Sequence, residues 1–126
     1  MNKIRRNKSV LVIDDELPIL TAITDKLTRE GLTVLQARDG GIGLDIALRE
    51  HPDVILLDIM MPNMDGITML RHLRADTWGS AVRVIMLTNV TDTSNISEAT
   101  QCGVHDFLVK TDWKLEDIFA KIKEYL

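Results

Sequence analysis

Hydrophobic positions along the chain follow two alternating rhythms. Val10-Leu11-Val12-Ile13, Val54-Ile55-Leu56-Leu57 and Val82 to Leu87 are short, almost continuously apolar and rich in β-branched residues. Runs of that kind predict strands buried on both faces, as in a parallel sheet covered by helices. Thr33 to Ala37 and Asp106 to Val109 are weaker strand segments of similar length. Between the strands, apolar residues recur at helical spacing. Leu20, Ile23 and Leu27 form one such stripe, and Leu115, Ile118, Phe119 and Ile122 form another. Pro18 suits the first turn of the earlier helix, and Gly31 suits the position just past its end. Gly40 and Gly41 open a second predicted helix that runs to about Glu50. Gly66 to Asp76 gives a third and Thr93 to Gln101 a fourth.

Five strand–helix units in succession predict an α/β fold. Right-handed crossovers place helices on both faces of a parallel sheet. The expected architecture is a doubly wound five-stranded parallel sheet of order 2-1-3-4-5, the flavodoxin-like (βα)5 arrangement. The chain's 126 residues suit one domain, expected over residues 9–126. Residues 1–8, with Lys3, Arg5, Arg6 and Lys8, read as a basic, solvated N-terminal tail.

Composition narrows the function classes. A net charge of −4 argues against direct DNA binding through a broad basic surface. No apolar run approaches the roughly 20 residues of a membrane span. The single cysteine, Cys102, has no internal disulfide partner, and no signal-like apolar stretch follows the basic start, so a cytoplasmic location is expected. His51, His72 and His105 lie in separate segments without ligand spacing and are assigned to surface or packing roles. Trp78 and Trp113 are expected to pack against the domain's own core. Met60, Met61, Met64 and Met69 are expected to fill gaps near the exit of the third strand.

The polar residues that carry chemistry collect at the strand ends. In an open parallel sheet, ligands bind outside the carboxyl ends of the strands, where the strand order reverses. There the first strand ends in Asp14-Asp15-Glu16, the third in Asp58, the fourth in Thr88 and the fifth in Lys110. Carboxylates gathered in one crevice repel, and only Lys110 offsets them. A hard divalent cation with oxygen ligands resolves the conflict, which points to Mg²⁺. Asp14 or Asp15 taken singly is read equally well as a helix or turn cap. Asp58 is followed by Ile59-Met60-Met61-Pro62, where no helix is predicted to begin. A nucleotide site is disfavoured because Asp-Asp-Glu replaces the glycine-rich loop that cradles phosphate. No Ser/His/Asp or Cys/His set falls at the strand ends, so hydrolase triads have no support.

Five motifs in order carry a family resemblance. They are Asp14-Asp15, Leu56-Leu57-Asp58-Ile59-Met60-Met61-Pro62, Asp65-Gly66, Leu87-Thr88 and Phe107-Leu108-Val109-Lys110. From about Ser9 to Tyr125 the chain resembles the response regulator receiver domain of two-component signalling. The resemblance implies that Asp58 is the phosphoacceptor, attacking the phosphohistidine of a sensor histidine kinase or phosphotransfer protein. It implies that Asp15, Asp58 and the backbone carbonyl of Met60 bind Mg²⁺, with Asp14 acting through water. Lys110 would pair with one phosphoryl oxygen and the Thr88 hydroxyl with another. Thr88 and Phe107 would form the switch, and the surface of the fourth helix, fifth strand and fifth helix would control a downstream protein that the sequence does not identify. By resemblance Met60 and Val90 flank the path of the water that hydrolyses the aspartyl phosphate.

Two positions depart from the family pattern. Thr111 follows the lysine where proline with a cis bond is usual, and Asn89 follows the threonine where a small residue is usual. The expected function is a stand-alone, phosphorylation-activated switch, monomeric or dimerising on phosphorylation, and not an enzyme beyond assisting its own phosphorylation and dephosphorylation. The alternative is a receiver-like interaction module that works without phosphorylation. Intact Asp15, Asp58, Thr88 and Lys110 argue against that alternative, since the fold alone does not need them.

Overall fold

The computed structural model describes residues 8–88, 93–111 and 113–126. Its strands are β1 (Ser9–Ile13), β2 (Thr33–Ala37), β3 (Val54–Asp58), β4 (Arg83–Thr88) and β5 (Asp106–Val109). Its helices are α1 (Leu17–Arg29), α2 (Gly40–Glu50), α3 (Gly66–Ala75), α4 (Thr93–Gln101) and α5 (Leu115–Lys123). All strand pairings are parallel, in the order β2-β1-β3-β4-β5. This is the doubly wound arrangement expected from the sequence. One boundary moves: Val82 precedes β4, its carbonyl accepting a hydrogen bond from Arg74.

The helix starts follow local chemistry. Asp39 caps α2 by accepting from the Ile42 N–H, and Asp65 caps α3 by accepting from the Thr68 N–H, both at 2.8 Å. Pro18 sits in the first turn of α1, where a missing N–H costs nothing. Gly31, at φ +95°, supplies the left-handed residue that turns the chain from α1 towards β2.

Strand parity divides the core into two layers. Val10, Val12, Val54, Leu56, Ile85 and Leu87 face Leu20, Ile23 and Leu27 of α1 and Ile118 and Ile122 of α5. The intervening residues Leu11, Ile13, Ile55, Leu57, Val84 and Met86 face Ala47 of α2, Met69, Leu70 and Leu73 of α3, and Ala99 of α4. Each large side chain fully buried here contributes about 1.5–3 kcal/mol. The layers therefore hold the strands rigidly, and their carboxyl ends emerge along one edge. Trp78 packs against the second layer and Trp113 against the first, as expected, and Trp78 also stacks on His51 with ring centroids 4.2 Å apart. Among the described residues, no helix is long and apolar enough to cross a membrane.

Candidate functional site

Each central strand delivers one polar group to the same edge. Asp14 lies just past β1, its N–H donating to the Ala37 carbonyl at 3.1 Å. Asp58 closes β3, and the next residue, Ile59, donates to the Leu87 carbonyl at 3.3 Å. Thr88 closes β4, and its carbonyl accepts from the Lys110 N–H at 2.8 Å. The strand exits are thus stitched side by side. Among the described residues, Asp14, Asp58 and Thr88 are the polar side chains buried in the domain, at 0%, 3% and 1% exposure. Polar groups at such depth normally answer to a partner or a function. Gly66 explains why Asp65-Gly66 accompanies Asp58: a Cβ at Gly66 would collide with the Asp58 carbonyl oxygen. Only glycine lets α3 start this close to the end of β3.

Charge is concentrated and incompletely matched. Carboxylate oxygens of Asp14, Asp15 and Asp58 all lie within 4.8 Å of one another. Oδ1 of Asp14 accepts from the Glu16 N–H at 2.8 Å, so part of this aspartate does serve the local turn. Oδ2 of Asp14 and Oδ2 of Asp58 are buried without a hydrogen bond. They stand 3.2 and 3.3 Å from the Lys110 ammonium, in ion-pair range only. Burial, reinforced by the neighbouring Asp14 charge, pushes the Asp58 carboxyl from 3.8 up to about 7, against the opposing pull of Lys110. Burial raises Asp14 as well. Burial alone would lower the Lys110 ammonium, but Glu16, Asp58 and Asp14 outweigh it and hold Lys110 above the ordinary lysine range.

Such a site is poised for a cation. Three convergent carboxylates with two orphaned buried oxygens match the oxygen-rich donor set that Mg²⁺ takes, so these residues fit the ion that the sequence implied. They border an open cavity of about 400 Å³ lined by Asp15, Glu16, Asp58, Met60, Lys110 and Thr111.

The structure thus brings Asp14, Asp15, Asp58, Thr88 and Lys110 to one edge. Phe107 is half-buried against the layer that includes Ala99 of α4, the layer to which strand parity also assigns Thr88. The Lys110–Thr111 peptide is trans, so this loop forms without the cis bond usual in the resembling family. Asn89 and Val90 lie outside the described residues. One expectation is corrected: Met60 is 58% exposed and fills no gap, because it sits on the loop leaving β3 rather than under a helix. Met69 is fully buried and does pack in the core.

Sequence reasoning missed the role of Glu16. Its Oε1 accepts from Lys110 Nζ at 2.6 Å, the shortest contact that the lysine makes in this cluster. A signal was present, since Glu is a poor choice at the N-cap of α1 and its side chain makes no cap hydrogen bond.

Comparison with known proteins agrees with this fold. The response regulator receiver domain family matches residues 10–123. A probable transcriptional regulator, ycf27, of Porphyridium aerugineum is 36% identical over 96% of the chain. The chain spans about half of that relative's length, 49%. Sporulation initiation phosphotransferase F of Bacillus subtilis is 31% identical, covering 95% of this chain and 94% of that protein. The solved structure of the chemotaxis protein CheY4 of Vibrio cholerae superposes with a TM-score of 0.87 at 27% identity, covering 96% of this chain and all of the other.

Proposed function

The chain belongs to the response regulator receiver domain family, and from that footing we propose that it is a phosphorylation-activated signalling switch with Asp58 as phosphoacceptor. The observation that carries this reading is Asp58 itself: a carboxylate 3% exposed, with one oxygen free of hydrogen bonds, beside two further aspartates and a lysine. Among the described residues, the buried carboxylate oxygens without a hydrogen bond are those of Asp14 and Asp58, both at this site.

In the proposed reaction, an Asp58 carboxylate oxygen attacks phosphorus on a partner's phosphohistidine. The new O–P bond forms as the P–N bond breaks, and the imidazole leaves with that electron pair. The product is an acyl phosphate, one of the covalent forms that aspartate carries. Asp15 and Asp58 with the Met60 carbonyl would hold Mg²⁺, and Asp14 would reach it through water. When bound, the ion neutralises charge on the transferring phosphoryl group and aligns it. Lys110 meets one phosphoryl oxygen as a compact cation, and the Thr88 hydroxyl donates to another. Movement of Thr88 opens space on the α4 side of the sheet, which Phe107 turns to fill. The changed α4, β5 and α5 surface then controls a protein target. The switch operates in the cytoplasm, as a monomer or a phosphorylation-dependent dimer, and catalyses nothing beyond its own modification.

Incubation with acetyl phosphate and Mg²⁺, followed by intact mass measurement, tests the reading. A gain of one phosphoryl group in the parent and none in Asp58→Asn is expected. A parent that gains nothing returns the chain to the phosphorylation-independent alternative.

A further inference from the structure

Lys110 has three N–H donors and three carboxylates around it, yet its contacts are unequal. Glu16 Oε1 accepts a hydrogen bond at 2.6 Å, while Asp14 and Asp58 stand at 3.2 and 3.3 Å with their Oδ2 atoms unbonded. The Glu16 side chain is 55% exposed and that of Lys110 11%, so the pair spans the mouth of the crevice. Glu16 sits at the N-cap of α1 but leaves the helix N–H groups uncapped and reaches a lysine 94 positions away. The hydrogen bond of the ammonium therefore goes to the outer carboxylate, while Asp14 and Asp58 hold it only by ion pairing.

We propose that Glu16 is a positioning residue for the phosphoryl site, which keeps a hydrogen bond of the Lys110 ammonium on itself while Asp58 is unmodified and gives it up when a phosphoryl oxygen arrives. The inference rests on Asp58 being the phosphoacceptor. An exposed carboxylate suits this task, because water takes over its solvation once the lysine leaves. The ion pair is then weak enough to break on every cycle. Glu16 competes with the incoming phosphoryl group for one cation, and removing it leaves Lys110 only inward partners.

The test compares acetyl phosphate labelling at saturating Mg²⁺ in the parent, Glu16→Gln and Glu16→Ala, each also placed in a Lys110→Ala background. Both Glu16 variants should label about threefold to fivefold faster, the size of one surface ion pair, and neither should gain speed without Lys110. The ¹⁵N resonance of the Lys110 ammonium in unphosphorylated protein should shift in Glu16→Gln, and Mg²⁺ affinity by amide NMR should stay within about twofold of the parent. Equal acceleration in the Lys110→Ala background would overturn the proposal in favour of a general field effect on the anionic donor. Lost Mg²⁺ affinity in Glu16→Gln would overturn it in favour of a metal-binding role. Unchanged labelling in variants of a parent that labels normally refutes the inference alone, whereas a parent that never labels refutes the phosphoacceptor reading beneath it.

Discussion

Arg74 and Asp58 are charged groups drawn into the same domain at opposite ends of the sheet, and their surroundings are opposite in kind. Arg74, near the end of α3, donates from Nε to the Cys102 carbonyl and from Nη1 to the carbonyls of Gly79 and Val82, each at 2.8 Å. It thereby ties the end of α4 and the approach to β4 to α3. At the carboxyl edge, Asp58 keeps one buried oxygen without a hydrogen bond and has a second carboxylate, Asp14, as neighbour. Burial acts on both, lowering the pKa of Arg74 and raising that of Asp58. The difference lies in the partners. Carbonyl dipoles satisfy the arginine, so its burial is structural. Asp14 and Asp58 each keep an oxygen that no hydrogen bond satisfies, with Lys110 in ion-pair range as their counter-charge.

The sharpest way to break this contrast is to remove each group in turn. Arg74→Ala strips a donor from three carbonyls and is expected to lose about 3 kcal/mol in urea unfolding. A loss below about 1 kcal/mol would mean that water replaces the guanidinium, and the amino end would not be the stabilising one.

Asp58→Asn is expected to act with the opposite sign. The folded carboxyl titrates at about 7 against an ordinary 3.8, so between those values the folded state holds more protons than the unfolded one. Parent stability without metal therefore falls as pH rises from about 4 to 7 and levels off above. The asparagine variant should be more stable at pH 8 by on the order of 2 kcal/mol, with a flatter pH profile. Some slope should remain, because Asp14 is raised too. Equal stability of the two proteins at pH 8 would remove the strain assigned to this site.

Adding Mg²⁺ should relieve that strain. At about 10 mM ion and a millimolar dissociation constant, the parent should gain roughly 1.4 kcal/mol at pH 8. Asp15→Asn and Asp58→Asn should gain almost nothing, while Arg74→Ala should respond like the parent, since the two ends share no side-chain partner. A smaller effect belongs to Arg71, which pairs with Glu98 of α4 across the surface. Arg71→Gln should cost under about 1 kcal/mol. Its signature is faster amide exchange in α4, where Ala99 is fully buried, with α3 unchanged.

What the sequence determined alone was the set of elements, their order and which residues stand at the strand ends that meet at the candidate site. Strands buried on both faces need continuous apolar runs, and helices on a sheet need one apolar stripe. Both patterns are local and therefore legible. Asp14, Asp15, Asp58, Thr88 and Lys110 were legible for the same reason, each standing at the end of a recognisable strand. Tertiary structure decided what those residues touch. Glu16 meets Lys110 across 94 positions because the fold brings the residue after β5 within reach of the start of α1. Met60 is exposed while Met69 is buried, and Arg74 is tied to carbonyls while Arg71, three residues earlier on α3, stays at the surface. A residue's type and its period give the face it occupies. The partner waiting there comes from a segment distant in sequence, and only the packed fold brings the two together.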